Sequence, residues 1–147
     1  MHFTMKVEFF NAKVITGGME SVINRMDAIR KMGKDATNKE QSEYLVYEVA
    51  YEMYARGYEF LPARLGASKA TKFSVEDGKV RLPFRALEGM GETAAESLTR
   101  EFEKCIFTSV EDISLRTQVN STNMETLREH GVLEGLPESD QLSLFGF

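Results

Sequence analysis

With 147 residues, 42% hydrophobic and 28% charged, the chain has the composition of an ordinary soluble globular protein and enough length to bury one sizeable core. No apolar run reaches the length of a membrane span, and the single cysteine, Cys105, excludes an internal disulfide framework and suits a reducing cytoplasm. The net charge of -5 argues against strong stand-alone nucleic-acid binding built on lysine and arginine, although the middle of the chain is not acidic: residues 60–104 hold eight basic and seven acidic side chains, against two and seven in residues 105–147.

Lys6 to Thr16 reads as a short strand or extended lead-in segment. Gly17 and Gly18 break it. Met19, Val22, Ile23, Met26 and Ile29 then recur at helical spacing, with Gly33 as a natural stop. Thr37 with Glu40 is a capping-box pattern that opens the longest helix, ending near Gly57. Leu45, Val46, Val49, Ala50, Met53 and Tyr54 supply its predicted buried face. Tyr44, Tyr47 and Tyr51 form a second stripe, partly buried with wet hydroxyls.

Tyr58 to Pro62 reads as a strand. Apolar and polar residues alternate from Thr71 to Glu76 and from Lys79 to Leu82, around an Asp77-Gly78 pair that signals a hairpin turn. Phe73, Val75, Val80 and Leu82 are predicted to face the core, and Lys72, Lys79 and Arg81 to face outward together. Pro83 opens a short helix to Leu87.

Gly89-Met90-Gly91 comes next, and the helix after it runs to about Lys104, burying Ala94, Ala95, Leu98 and Phe102. Neither glycine carries a Cβ, so the turn can approach another surface closely. The helix after Gly91 begins with unpaired N–H groups and the positive end of its dipole, a site suited to phosphate. An ordinary helix-helix connection fits the same pattern.

Ser109 with Asp112 caps another short helix, and Thr122 with Glu125 caps a last one ending at His130-Gly131. Cys105, followed by Ile106 and Phe107, reads as packing, and His130 as a helix-end residue without metal or triad partners. From Glu134 the chain becomes acidic and rich in turn formers, as in a mobile tail. Leu142, Leu144, Phe145 and Phe147 at its end either dock back on the domain or enter a partner's groove.

Three groups of residues together carry a resemblance. The first is Ala55-Arg56-Gly57-Tyr58-Glu59-Phe60-Leu61-Pro62 with Ser68, Ala70-Thr71-Lys72-Phe73 and Pro83-Phe84-Arg85-Ala86-Leu87. The second is Gly89-x-Gly91 with Ala94-Ala95. The third is Glu129-His130-Gly131 through Leu136-Pro137-Glu138-Ser139, closing on Gln141-Leu142-Ser143-Leu144-Phe145. In order and spacing these resemble the C-terminal region of the bacterial replicative DNA polymerase III alpha subunit of the PolC type. Glu88 departs from the proline usual in that family's hairpin, and Gly146-Phe147 extend its closing pentapeptide.

The resemblance implies an α+β, mostly α-helical chain: a helical fingers-end segment over residues 1–62, a β-hairpin and helix-hairpin-helix duplex-binding region over 63–133, and a flexible tail over 134–147. It implies contact with the duplex DNA backbone through Arg85, Gly89, Met90, Gly91 and Thr93, supported by Lys72, Lys79 and Arg81. It implies a sliding-clamp motif at Gln141, Leu142, Ser143, Leu144 and Phe145. The other partner is the remainder of the polymerase alpha subunit, with no membrane, in the nucleoid-associated bacterial cytoplasm. Whether this chain is itself an enzyme stays open, since it shows no catalytic residues, metal ligands or cofactor site, and the divalent metal is expected in the upstream palm. The alternative is a protein-interaction module whose Gly-x-Gly turn is purely structural.

Overall fold

The computed structural model describes residues 10–139. Asn11 accepts a hydrogen bond from the Val14 amide at 3.2 Å and so starts α1 (Ala12–Thr16). The strand or extended segment expected over residues 6–16 is therefore helical from Ala12, while residues 6–9 lie outside the described part. A five-residue helix is marginal alone. This one is held by burial of Ala12 and Ile15, and by the Tyr54 hydroxyl, which donates to the Ile15 carbonyl.

The helix α2 (Met19–Met32) packs on α3 (Asn38–Ala55), with Val22 and Ile29 buried. The Thr37–Glu40 capping box forms as expected: the Thr37 hydroxyl accepts from the Glu40 amide, and the Glu40 carboxylate accepts from the Thr37 amide, both at 3.1 Å. The Thr37 amide, then its hydroxyl, hold the Glu40 carboxyl below the usual range.

The buried face of α3 differs from the expected one. Glu43, Val46, Tyr47, Ala50 and Met53 face inward, while Leu45 is 61% and Val49 39% exposed. The cause is a polar contact across the two helices. Arg25 on α2 reaches Glu43 at 3.4 Å, and the fully buried Tyr47 donates its hydroxyl to the same carboxylate. Satisfying that carboxylate turns one tyrosine of the stripe into core and the two aliphatics outward.

Three short strands come after α3: β1 (Glu59–Leu61), β2 (Ser74–Glu76) and β3 (Lys79–Arg81). The sheet order is β1-β3-β2, with β1 parallel to β3 and β2 antiparallel to it. Asp77 and Gly78 both have positive φ (50° and 79°), as a tight two-residue hairpin turn requires. Val80 and Leu82 are fully buried as expected, but Val75 is exposed and Phe73 half-buried. Val75 pairs with Val80 across the ladder, yet it lies on the edge strand, so only Val80 is flanked on both sides.

A loop from Arg64 to Ala70 stitches the sheet to the segment beginning at Phe84. The Phe84 and Arg85 amides donate to the Lys69 and Ala70 carbonyls, and the Ser68 hydroxyl donates to the Leu82 carbonyl at 2.7 Å. Gly66, at φ +85°, leans against Phe102: a Cβ there would sit 3.1 Å from the ring. Any other residue would be strained and would push Phe102 away.

A 3-10 turn (Phe84–Ala86) leads through the glycine turn into α4 (Glu92–Lys104), followed by α5 (Val110–Arg116) and α6 (Ser121–Glu129). Ser109 caps α5 as expected, its hydroxyl accepting from the Asp112 amide at 2.9 Å. The cap of α6 is Asn120 with Asn123, not Thr122 with Glu125, so that helix begins two residues earlier. His130 and Gly131 close it.

Residues 134–139 are docked rather than loose: Leu136 packs on the core, and the Pro137 and Glu138 carbonyls accept from the Val110 and Glu111 amides at 2.9 and 3.0 Å. The expectation for residues 140–147 lies outside the described part. One buried cluster runs from Phe10 to Leu133. Among the described residues no helix is long and apolar enough to cross a membrane.

Candidate nucleic-acid interface

The glycine turn is built from inside outward. The Leu87 amide donates to Phe84 and the Met90 amide to Leu87, winding the backbone tightly. Leu87 and Met90 are buried and anchor the turn to the core. Between them Gly89 takes φ +72°, the left-handed region that costs other residues about 1–2 kcal/mol.

The first two carbonyls of the turn point back into the protein, and the third, of Gly91, accepts from the Ala95 amide at 3.0 Å. The Gly89 carbonyl accepts from Asn123 Nδ2 at 3.1 Å, and the Met90 carbonyl accepts from Arg85 Nη1 at 3.1 Å. The amides of Gly89, Gly91, Glu92 and Thr93, by contrast, meet no acceptor among the described residues. A backbone segment with satisfied carbonyls and open N–H groups is an anion cradle, reinforced by the dipole of the 13-residue α4.

Gly91 is informative because nothing among the described residues demands it. Its φ of -78° and ψ of 164° suit any residue, and a Cβ there would meet nothing within 4 Å among the described residues. It is the N-cap of α4, a position where serine, threonine, aspartate or asparagine would stabilise the helix, yet it offers no side-chain cap. The starts of α5 and α6 are filled, by Ser109 with the Pro137 and Glu138 carbonyls and by Asn120 with Asn123. Only α4 among these three is left open.

The structure sorts the residues singled out in the sequence. Gly89, Gly91 and Thr93 come together at the exposed start of α4. Met90 does not join them: its side chain is buried and its amide is spent on Leu87. Arg85 supports the turn from behind through the Met90 carbonyl. Arg81 is committed to Glu76 at 2.8 Å and to the Pro62 carbonyl at 3.0 Å, with its side chain only 12% exposed. Lys79 pairs with Glu59 at 3.4 Å, while Lys72 is exposed with no ion pair among the described residues. The three cations therefore do not act as one outward row. Gln141 to Phe145 lie outside the described part.

Glu88 lies on the exposed side of the turn and lines, with Lys13, Lys39, Arg85 and His130, a shallow recess of about 150 Å³. The acids Glu43 and Glu129 line the same recess, and Lys13 is paired with Glu129 at 3.8 Å. Burial, and then the nearby Lys13, hold the His130 pKa below its usual value. Among the described residues no group of histidine, cysteine, aspartate and glutamate is placed to hold a metal ion.

Asn123 is the residue sequence reasoning missed. It is buried, caps its own helix with Asn120, and crosses 34 positions to hold Gly89. Asparagine in place of the usual glutamate or glutamine three residues after the cap hid it from the capping-box pattern.

A Gly-x-Gly turn with open amides leading into a helix, tied to a second helix pair, defines a helix-hairpin-helix protein. Residues 57–142 match the helix-hairpin-helix motif, and the chain belongs to that family. Over nearly its whole length it is also similar to the C-terminal region of PolC-type DNA polymerase III. It is 41% identical over 145 residues to the enzyme of Clostridium perfringens, covering 99% of this chain. It is 42% identical over 144 residues to that of Caldanaerobacter subterraneus and 36% identical over 144 to that of Bacillus subtilis, each covering 98%. The chain spans about a tenth of the length of these relatives.

Proposed function

We propose that this chain grips the sugar-phosphate backbone of duplex DNA through the open amides of Gly89, Gly91, Glu92 and Thr93. It does so as the duplex-binding part of a PolC-type replicative polymerase in the bacterial cytoplasm. Nucleotide addition, with its divalent metal, belongs to other parts of that polymerase. The observation that carries this reading is Gly91, a glycine whose backbone angles and surroundings admit a side chain and whose capping position favours one. Leaving the space empty makes sense where a phosphate oxygen approaches the helix N-terminus. Contact of this kind reads backbone rather than base sequence, in keeping with a polymerase that must hold any duplex. The tail, Gln141-Leu142-Ser143-Leu144-Phe145, is a linear ligand for the sliding clamp, with a glutamine for a polar contact and apolar side chains for a groove.

Gly91→Asp tests the duplex reading cleanly. An aspartate at this N-cap accepts from the helix amides and raises stability by a few tenths of a kcal/mol. It also places a carboxylate where the phosphate would bind. The expected result is an unchanged or raised unfolding midpoint with loss of low-salt binding to a short duplex. Duplex binding that survives in the stable variant refutes the phosphate role and favours a purely structural turn in a protein-interaction module.

A further inference from the structure

We infer that the loop from Arg64 to Lys72 is a second contact for the sugar-phosphate backbone, made beside the glycine turn by the side chains of Arg64, Lys69 and Lys72. The inference rests on the duplex reading of that turn. Residues 60–75 hold these three cations and no aspartate or glutamate, the longest acid-free stretch in a chain of net charge -5.

Arg64 stands apart from the other arginines. Of the nine in the chain, seven lie within 3.8 Å of a carboxylate oxygen, and Arg85 donates to the Met90 carbonyl. Arg64 is exposed and has no side-chain partner among the described residues. Lys69 and Lys72 are exposed as well, with no ion pair among the described residues. Lys31 and Lys34 are also unpaired, but they stand in the last turn of α2 and just beyond it, where a helix dipole favours cations. The three loop cations belong to no helix.

The backbone of the loop is fixed without these side chains. The Arg64 carbonyl accepts from the Ala67 and Ser68 amides at 3.2 and 2.9 Å, and the Arg64 amide donates to the Ser68 hydroxyl at 2.9 Å. Arg85 joins the loop to the turn: its amide donates to the Ala70 carbonyl at 2.9 Å, and its guanidinium to the Met90 carbonyl at 3.1 Å. With Gly66 against Phe102 near the far end of α4, the loop runs along the helix whose start is the amide cradle.

Duplex DNA carries one phosphate charge per about 1.7 Å of its axis, so a backbone seated at the turn brings further phosphates past a neighbouring loop. The amides of the turn carry no net charge and position a phosphate rather than displace its counterions. Arginine and lysine displace them, and that release is what makes affinity depend on salt. Arg64 can hold a phosphate through two parallel donors, and the lysines act as point charges.

The test measures binding of the full chain to a short duplex between about 50 and 200 mM salt, where each neutralised phosphate contributes about -0.9 to the slope of log K against log salt. Arg64→Ala with Lys69→Ala and Lys72→Ala is expected to keep the unfolding midpoint of the parent and to flatten the slope by about 2.7, three such contacts. Arg64→Lys with Lys69→Arg and Lys72→Arg keeps the charge and is expected to keep the slope, which separates charge from packing. Lys31→Ala with Lys34→Ala removes exposed cations elsewhere and is expected to leave the slope as in the parent. A flattening of less than about 0.9 in the triple alanine variant, or as large a flattening in the Lys31 and Lys34 variant, overturns the inference. Gly91→Asp reads the turn separately: binding lost there, beside an unmoved slope in the triple alanine variant, leaves the turn reading standing and ends this one. No salt-dependent binding by the parent chain removes the duplex reading and the inference with it.

Discussion

Asn123 decides the shape of the glycine turn as much as the glycines do. A turn of three residues can present either its amides or its carbonyls outward, and only the first attracts phosphate. By donating to the Gly89 carbonyl at 3.1 Å, Asn123 holds that oxygen inward, as Arg85 does for Met90. Asn123→Ala leaves a carbonyl without its buried donor and removes half of the α6 capping box. The expected cost is about 1–3 kcal/mol in a urea titration, together with weaker duplex binding at a temperature where the variant is still folded. A loss of stability without any change in duplex binding would show that the orientation of the turn does not depend on this side chain.

At the scale of elements, Arg116 does for α4 what the caps do for other helices. Its guanidinium donates to the Glu101 and Cys105 carbonyls at 2.6 Å, closing the α4 C-terminus, and lies 4.7 Å from the Phe107 ring centre. It also pairs with Asp112 at 2.9 Å. Burial pushes the Asp112 carboxyl up, but the Thr108 amide and Arg116 outweigh it and hold it below the usual range; Lys104, then Arg116, do the same for Glu101. Removing Arg116 as alanine is expected to cost about 1.5–3 kcal/mol at pH 7, the worth of hydrogen bonds to a charged donor. Carboxyls held low contribute stability that is complete above their unfolded pKa values of 3.8 and 4.5, and that is lost as pH falls through the folded ones. The gap between parent and Arg116→Ala should therefore narrow in urea titrations at pH 3. A constant gap would assign the effect to the carbonyl contacts alone.

The elements also show what was legible in the sequence. Thr37 with Glu40, Ser109 with Asp112 and Asp77-Gly78 are local signals, complete within four residues, and each forms as read. The parallel pairing of β1 with β3 joins residues 20 apart in sequence and leaves no local mark. The face of α3 was ambiguous because tyrosine and aliphatic stripes have the same period; Arg25, from another helix, chose between them. The glycine turn was visible, but its supporting donors were not, since Asn123 acts from the far side of the fold. Lys79 and Arg81 pointed outward in the pattern because alternation carries no information about the acids Glu59 and Glu76 that take them up.

For the whole molecule the question is whether the helical first half and the hairpin-bearing second half unfold together. Several contacts cross between them. The Phe10 and Phe73 rings lie 5.6 Å apart, Lys13 reaches Glu129 at 3.8 Å, and β3 is paired with β1 along its length. The buried cluster is continuous from Phe10 to Leu133, which favours one cooperative transition. Composition offers a clean probe. All five tyrosines fall between Tyr44 and Tyr58 and there is no tryptophan, so intrinsic fluorescence reports α3 and its neighbours alone. Far-UV circular dichroism reports every helix, α4 to α6 included. The two unfolding curves are expected to share one midpoint in urea and on heating. A dichroism change that continues after the tyrosine signal has ended would mean that the hairpin half stands by itself, and that the position of the glycine turn is set by α4 to α6 without help from the long helices.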